Sequence, residues 1–434
     1  MRFTARFVFV RELSFLELRS IQVFLTRPRA GAILRFMPQT NAVSRRVYLD
    51  YNATTPVDRE VLEAMLPFFS DAAGNASSMH SAGRRARSAV ENARASVAQL
   101  IGAKPSEIVF TSGGTEADNL AIFGSIGAGN RERKHIICSA IEHHAVLEAC
   151  EAASKRGVEV TWLPVSSGGM VDPEDVHRAI RLETILITVM HANNELGTIQ
   201  PVAEIGKIAR EAKIRFHSDA VQSVGKIPVD VKTIGADLLS LSAHKICGPK
   251  GVGVLYVREG TPLEPMLRGG SNQRDRRPGT ENVPGIVGLG KAAEIARREL
   301  AAGHSHLASL RDRLEQGILE RVPATRVNGD RSSRVPNTTN ISFSECEGES
   351  LVIGLDLGGV ECATGAACSS GAVSPSHVLT AIGLPPAQAK SSLRLSLGRF
   401  STAEDVDMAL SVIPGVVNRV RSVAAARVRP VAAL

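Results

Sequence analysis

No run of 18 uninterrupted apolar residues occurs in the chain, which argues against a membrane-spanning helix. Aromatics are scarce: they make up 4% of residues, with one Trp and three Tyr, too few for the base-stacking surface of a nucleic-acid binder. The six cysteines, at 138, 150, 247, 346, 362 and 368, form no Cys-x-x-Cys pair. That spread argues against a structural zinc site, a ferredoxin-type cluster or a disulfide scaffold, and suits a reducing compartment. Neither a Walker Gly-Lys-Ser/Thr nor a Gly-x-Gly-x-x-Gly dinucleotide fingerprint is present. The formal charge is +7, but residues 1–46 alone hold nine Arg, no Lys and two Glu, so the remainder is near neutral. The composition agrees with a soluble globular protein, expected without nucleic-acid or membrane partners. Its 434 residues, 44% of them apolar, suffice for a large core and two domains.

The most informative stretch runs from Ser240 to Gly251, Ser-Leu-Ser-Ala-His-Lys-Ile-Cys-Gly-Pro-Lys-Gly. An apolar strand-like run, 237–241, delivers Ser242, His244 and Lys245 to a Gly/Pro-rich turn. A lysine there can form a Schiff base with an aldehyde, and its neighbours can hold a phosphate. Pyridoxal phosphate carries both groups. Upstream, Asp219 follows the strand-like run 214–218, where ligands of open α/β sheets bind. It can pair with a pyridine nitrogen, and Gln222 can bond a phenolic oxygen. Taken alone, such an aspartate is more often a helix N-cap. The segment 108–119, Ile-Val-Phe-Thr-Ser-Gly-Gly-Thr-Glu-Ala-Asp-Asn, reads as strand, glycine turn and helix start, which makes an anion site. Glu142-His143-His144 and Asn193-Asn194-Glu195 follow two further strand-like runs. One such cluster can be chance; several aimed at an imine-competent lysine point to a site.

Motifs in matching order run from about residue 47 to 415. They are Tyr48-Leu49-Asp50-Tyr51-Asn52-Ala53-Thr54-Thr55-Pro56, Gly74-Asn75-Ala76-Ser77-Ser78-Met79-His80, Thr111–Glu116, Asn193–Glu195, Asp219–Gln222, His244-Lys245, Arg277–Asn282, Gly365–Gly371 and Arg394–Arg399. On these the chain resembles class V pyridoxal-phosphate enzymes of the cysteine desulfurase family, the NifS/IscS-like group. The resemblance implies a homodimer that converts L-cysteine to L-alanine. The sulfur would be caught as a persulfide on Cys368 and passed to an iron–sulfur scaffold protein. It implies that Lys245 carries the cofactor, that His143 stacks on its ring, and that both serve general acid/base steps. It places Asp219 on the pyridinium, Gln222 and Asn194 by the phenolic oxygen, and Gly114, Thr115, Ser242 and His244 on the phosphate. Thr280 would reach in from a second subunit. Asn52, Asn194 and Arg394 would bind substrate, the guanidinium fork suiting a carboxylate. No resident metal is expected, although Cys368 could make passing contact with an iron–sulfur assembly. Segment 277–288 looks more like the nitrogen-fixation type than the housekeeping type. Two positions depart from the family pattern: Lys390, where relatives carry His, and Asp275, where they carry Gly.

Strand-like runs at 107–111, 135–139, 158–163, 184–189, 214–218, 237–241 and 252–257 alternate with helical stretches. This predicts an α/β fold with a mainly parallel seven-stranded sheet, which the resemblance identifies as the fold-type I architecture. The large domain is expected over 61–300, with a smaller α+β domain from 47–60 and 301–415 and a fraying tail over 416–434. Residues 1–46 form an Arg-rich extension, read as disordered or as an over-long start with Met37 the initiator. An organellar transit peptide is the alternative to a cytoplasmic location. Two rival functions remain. A lyase for selenocysteine or cysteine sulfinate is disfavoured by the long 364–375 segment. A non-catalytic sulfur-assembly partner would have lost Lys245, Asp219 or Cys368, and all are present.

Overall fold

The computed structural model describes residues 45–128, 134–365 and 375–428. The folded unit opens with strand β1 (Val47–Tyr48) and helices α1 (Arg59–Met65) and α2 (Ser81–Leu100). The main sheet then follows: β2 (Ile108–Thr111), β3 (His135–Ser139), β4 (Glu159–Leu163), β5 (Thr184–Thr188), β6 (Arg215–Asp219), β7 (Leu238–Ser242) and β8 (Gly253–Val257). Between these strands lie α3 (Gly114–Gly127), α4 (His144–Ser154), α5 (Pro173–Ala179), α6 (Val202–Glu211) and α7 (Val231–Ile234). The seven strands lie in the order β2-β8-β7-β6-β5-β3-β4. Only β8 runs against the rest, pairing antiparallel with both β2 and β7.

The sequence explains the layering. β5 (Thr-Ile-Leu-Ile-Thr) and β7 (Leu-Leu-Ser-Leu-Ser) are buried at every position, as strands covered by helices on both faces must be. β4, at the sheet edge, is half open, and Trp162 is 40% exposed there. Because parallel strands share a direction, the carboxyl ends of β3, β5, β6 and β7 open on one rim.

The chain then runs through α8 (Val283–Arg321), β9 (Thr325–Asn328), β10 (Thr338–Phe343), α9 (Gly348–Leu357), β11 (Val360–Glu361), α10 (His377–Ala381), α11 (Pro386–Lys390), β12 (Ser392–Ser396) and α12 (Ala403–Val428). β9, β10 and β12 make an antiparallel three-stranded sheet, and β1 pairs with β11. Helix α8 joins two cores. Ile286, Leu289 and Ala293 pack into the larger, while Leu310, Leu314 and Ile318 pack into the smaller beside Val47 and Leu49. The changeover lies between Ala296 and Leu307.

The tail needs correction. Residues 416–428 do not fray but continue α12 through Pro414, and Val416 and Val417 are buried in the smaller core. Val406, Leu410, Ile413 and Val417 keep the helical period across the proline, and their burial outweighs one lost hydrogen bond. Asp275, the departure from a family glycine, has φ 61°, a left-handed conformation that glycine adopts freely and aspartate tolerates better than most residues.

Candidate active site

Lys245 follows β7 on a short turn and is half-buried. Its Nζ donates to the carbonyls of Asn52 (2.5 Å) and Ala53 (2.8 Å). The segment that supplies those carbonyls is stitched to the same turn. Thr55 N–H and Oγ1 both donate to the His244 carbonyl, and Asp58 N–H donates to the Cys247 carbonyl. His244 Nδ1 lies 3.1 Å from Thr54 Oγ1. Residues 52–58 therefore form a wall against which the lysine is held.

On the neighbouring strand, Asp219 ends β6 opposite Ser240 of β7 and is 5% exposed. Burial pushes its carboxyl up to about 6, against the opposing pull of the Val221 N–H and the charge of Lys245. Asp118 and Glu142, both buried, crowd it with further carboxyls. Burial pushes Glu142 up to about 8 and Asp118 well above the usual carboxylate range. A carboxylate in such a place either takes up a proton or gains from a cation brought in beside it. His143 caps α4, with Nδ1 accepting from Ala145 N–H at 3.1 Å. Burial, then the charge of Lys245, lowers it to about 4, so it is neutral at pH 7 with Nε2 as its protonated nitrogen.

Gly114 opens α3, and no side chain caps this helix N-terminus. Unpaired N–H groups there suit an anion. A Cβ on Gly114 would stand 2.9 Å from Val221 Cγ2 and 3.8 Å from Ser242 Cβ, so the helix start presses close against both walls. Glu116 in the first turn is paired with Arg277 at 2.8 Å, which ties segment 277–282 to the same corner.

Across the site, Arg394 of β12 is 4% exposed. Its Nη2 pairs with Asp50 at 2.7 Å and its Nη1 donates to the Asn194 carbonyl at 3.3 Å. Arg394 Nε and Asn194 Oδ1 are buried without a hydrogen-bond partner. Asn52 has a different place from the substrate contact expected of it. Its Nδ2 donates to the Asn194 carbonyl and to Thr338 Oγ1, while its Oδ1 accepts from Lys226 and Asn337. Both its donors and both its lone pairs are taken, so it braces the site and has nothing left for a ligand.

Gly114, His143, Asn194, Asp219, Gln222, Ser242, His244 and Lys245 thus lie at strand ends and helix starts of the main sheet, and Arg394 meets them from β12 of the smaller one. Thr115, although in the first turn of α3, is exposed, and so is Thr280. Cys368 lies outside the described residues. The segment that contains it is flanked by Gly365 and Ser376, and both abut Glu195, next to Asn194. Ser376 Oγ donates to Glu195 Oε2 at 2.6 Å, and a Cβ on Gly365 would collide with the same oxygen.

Residues 47–409 match the aminotransferase class-V family. The chain belongs to that family. A cysteine desulfurase IscS from Dictyoglomus turgidum is 51% identical over 381 residues, 88% of this chain and 97% of the relative. Among solved structures, a NifS-like protein superposes with a TM-score of 0.81 at 38% identity, over 86% of this chain and all (100%) of the other. SspA in complex with cysteine gives a TM-score of 0.74 at 38% identity, over 82% of this chain and 100% of the other.

Class-V enzymes use pyridoxal phosphate, and the residues here fit it. The uncapped start of α3 beside Ser242 suits the phosphate. The crowded carboxyl of Asp219 suits the pyridinium, and the amine of Lys245 suits the aldehyde. Several residues that brace this class-V site carry no signal in the sequence. Lys226, Asn337 and Thr338 hold Asn52, and His217, buried between Thr188 Oγ1 (2.9 Å) and Ser240 Oγ (3.0 Å), underlies Asp219.

Proposed function

We infer that this chain is a pyridoxal-phosphate-dependent cysteine desulfurase that converts L-cysteine to L-alanine. The observation that carries the reading is the amine of Lys245, held at a strand end with Asp219 on the adjacent strand and the buried guanidinium of Arg394 from the smaller domain. When bound, pyridoxal phosphate supplies an electron sink for the substrate's α-carbon. Asp219 keeps a proton on the ring nitrogen, because its own buried charge needs that partner. Arg394 orients the substrate carboxylate, with Asp50 holding the guanidinium in place. The Lys245 amine takes the α-proton and returns it, and neutral His143 presents Nε2–H to the same space. The Cys368 thiolate attacks the sulfur of the substrate. A sulfur–sulfur bond forms and the carbon–sulfur bond breaks. Its electron pair stays with the substrate carbon, which takes a proton to become alanine. The persulfide on Cys368 then passes its outer sulfur to an iron–sulfur scaffold protein.

The working form is a homodimer. Thr280 is exposed on the single chain, in keeping with a side chain that serves the other subunit's phosphate. Among the described residues no helix is long and apolar enough to cross a membrane. The reading places the enzyme in the cytoplasm, where thiols stay reduced.

The test is a product assay. Wild-type protein with L-cysteine and a reductant should release alanine and sulfide in equal amounts, and Cys368→Ser should bind L-cysteine yet release neither. Turnover of selenocysteine or cysteine sulfinate, but not L-cysteine, would move the assignment to a lyase on the same fold.

A further inference from the structure

Lys226 stands four residues beyond Gln222, is 8% exposed, and has no part in the chemistry above. Its Nζ donates to Gln222 Oε1 at 2.6 Å and to Asn52 Oδ1 at 2.9 Å. Both acceptors are neutral amide oxygens. Burial first, and then the charges of the two cations that face it, Lys245 and Arg394, hold its pKa well below the usual lysine range. A buried amine is costly to desolvate, and here that cost is offset only by the two amide oxygens it satisfies. Its geometry has a use, however. With the Gln222 oxygen occupied by Lys226, the amide nitrogen must face the other way. It donates to the Asn52 carbonyl at 3.0 Å, the same oxygen that receives Lys245 Nζ. Asn52 itself is held at its side chain by Lys226, so one amine fixes both the donor end of Gln222 and the carbonyl beside the reactive lysine.

We propose that Lys226 is a positioning residue that locks the Gln222 amide with its NH2 toward the cofactor's phenolic oxygen. The proposal rests on the pyridoxal-phosphate reading of the site. A phenolic oxygen held by this NH2 shares its negative charge with the protein and attracts the neighbouring imine proton less strongly. Without Lys226 the Gln222 oxygen is buried and unpaired, the amide loses its fixed orientation, and the imine keeps its proton to higher pH.

The test is a spectroscopic titration of the loaded protein without substrate, together with the rate of cofactor release. Lys226→Met, Gln222→Leu and the double variant are compared with wild type, with circular dichroism as the check on folding. Lys226→Met should raise the pH midpoint of the visible band by about one unit or more, and Gln222→Leu by a similar amount. The double variant should shift no further than either single one, since the two residues act as one device. Lys226→Gln, which keeps an N–H donor and no charge, should restore part of the shift and stands in if Lys226→Met does not fold. An unmoved midpoint in the Lys226 variants overturns the proposal. So does an equal further shift in the Gln222→Leu background, which would make Lys226 a nearby charge and nothing more. A wild-type protein with no visible band would sink the cofactor reading itself, and this inference with it.

Discussion

Replacing Asp219 with Asn should stabilise the cofactor-free protein at neutral and alkaline pH. Asp219 is 5% exposed, and its folded carboxyl is pushed up to about 6 by burial. An unfolded aspartate titrates near 3.9. The folded state therefore holds this proton more tightly than the unfolded state. The stability that Asp219 contributes is fully present below the unfolded value and is lost as pH rises through about 6. A gap of about two units is worth roughly 3 kcal/mol, about half of it lost between pH 5 and 8. Asparagine keeps an oxygen for the Val221 N–H, which Asp219 Oδ1 accepts at 2.8 Å, and carries no charge. Urea unfolding of both proteins, stripped of cofactor, should show the variant ahead by about 2–3 kcal/mol at pH 8, the margin narrowing toward pH 5. The charge of Asp219 helps to raise both Asp118 and Glu142, so the difference reads Asp219 together with the relief of these two neighbours. The order should reverse on loading, because only the carboxylate gains from a pyridinium partner. A margin independent of pH, or a variant weaker than wild type at pH 8, would refute the reasoning.

Two other substitutions probe separate parts of the account. Arg394→Lys keeps the charge but loses the fork that Asp50 and the Asn194 carbonyl hold, so KM for L-cysteine should rise about tenfold or more with a smaller change in kcat, read by steady-state kinetics. Gly398→Ala should cost about 1–3 kcal/mol in thermal or urea unfolding, because its Cβ would fall inside the Tyr51 ring in a well-packed wall.

Most of the main sheet was legible because inner strands such as β5 and β7 are buried and largely apolar, while β4 and the run into β6 offered only alternate apolar residues such as Ile214 and Phe216. Each of the seven expected runs overlaps an observed strand with ends within about two residues. The polar residues that break those runs mark the strand ends, and through them Asp219, Ser242 and Lys245 were legible too. β9 was not, since Thr-Arg-Val-Asn is short and half-exposed, and only its pairing with β10 makes it a strand. A fraying tail was expected from residue 416, yet burial of Val416 and Val417 carries α12 on past Pro414. Lys226 and Asn52 show the limit at the site. Lysine is a surface residue by habit, and nothing near Val224-Gly225-Lys226 signals an amine turned inward. Asn52 belongs to a family motif, but its role as a brace depends on Asn337 and Thr338, nearly 300 residues away, as the hydrogen bonds from Asn337 and to Thr338 record.

The most direct test of the central claim is the mass of the Lys245 peptide after borohydride reduction of the purified, cofactor-loaded protein. The account predicts that pyridoxal phosphate is fixed on Lys245, and that Lys245→Ala carries no reducible adduct. An adduct on another lysine, or one that survives in Lys245→Ala, would contradict it.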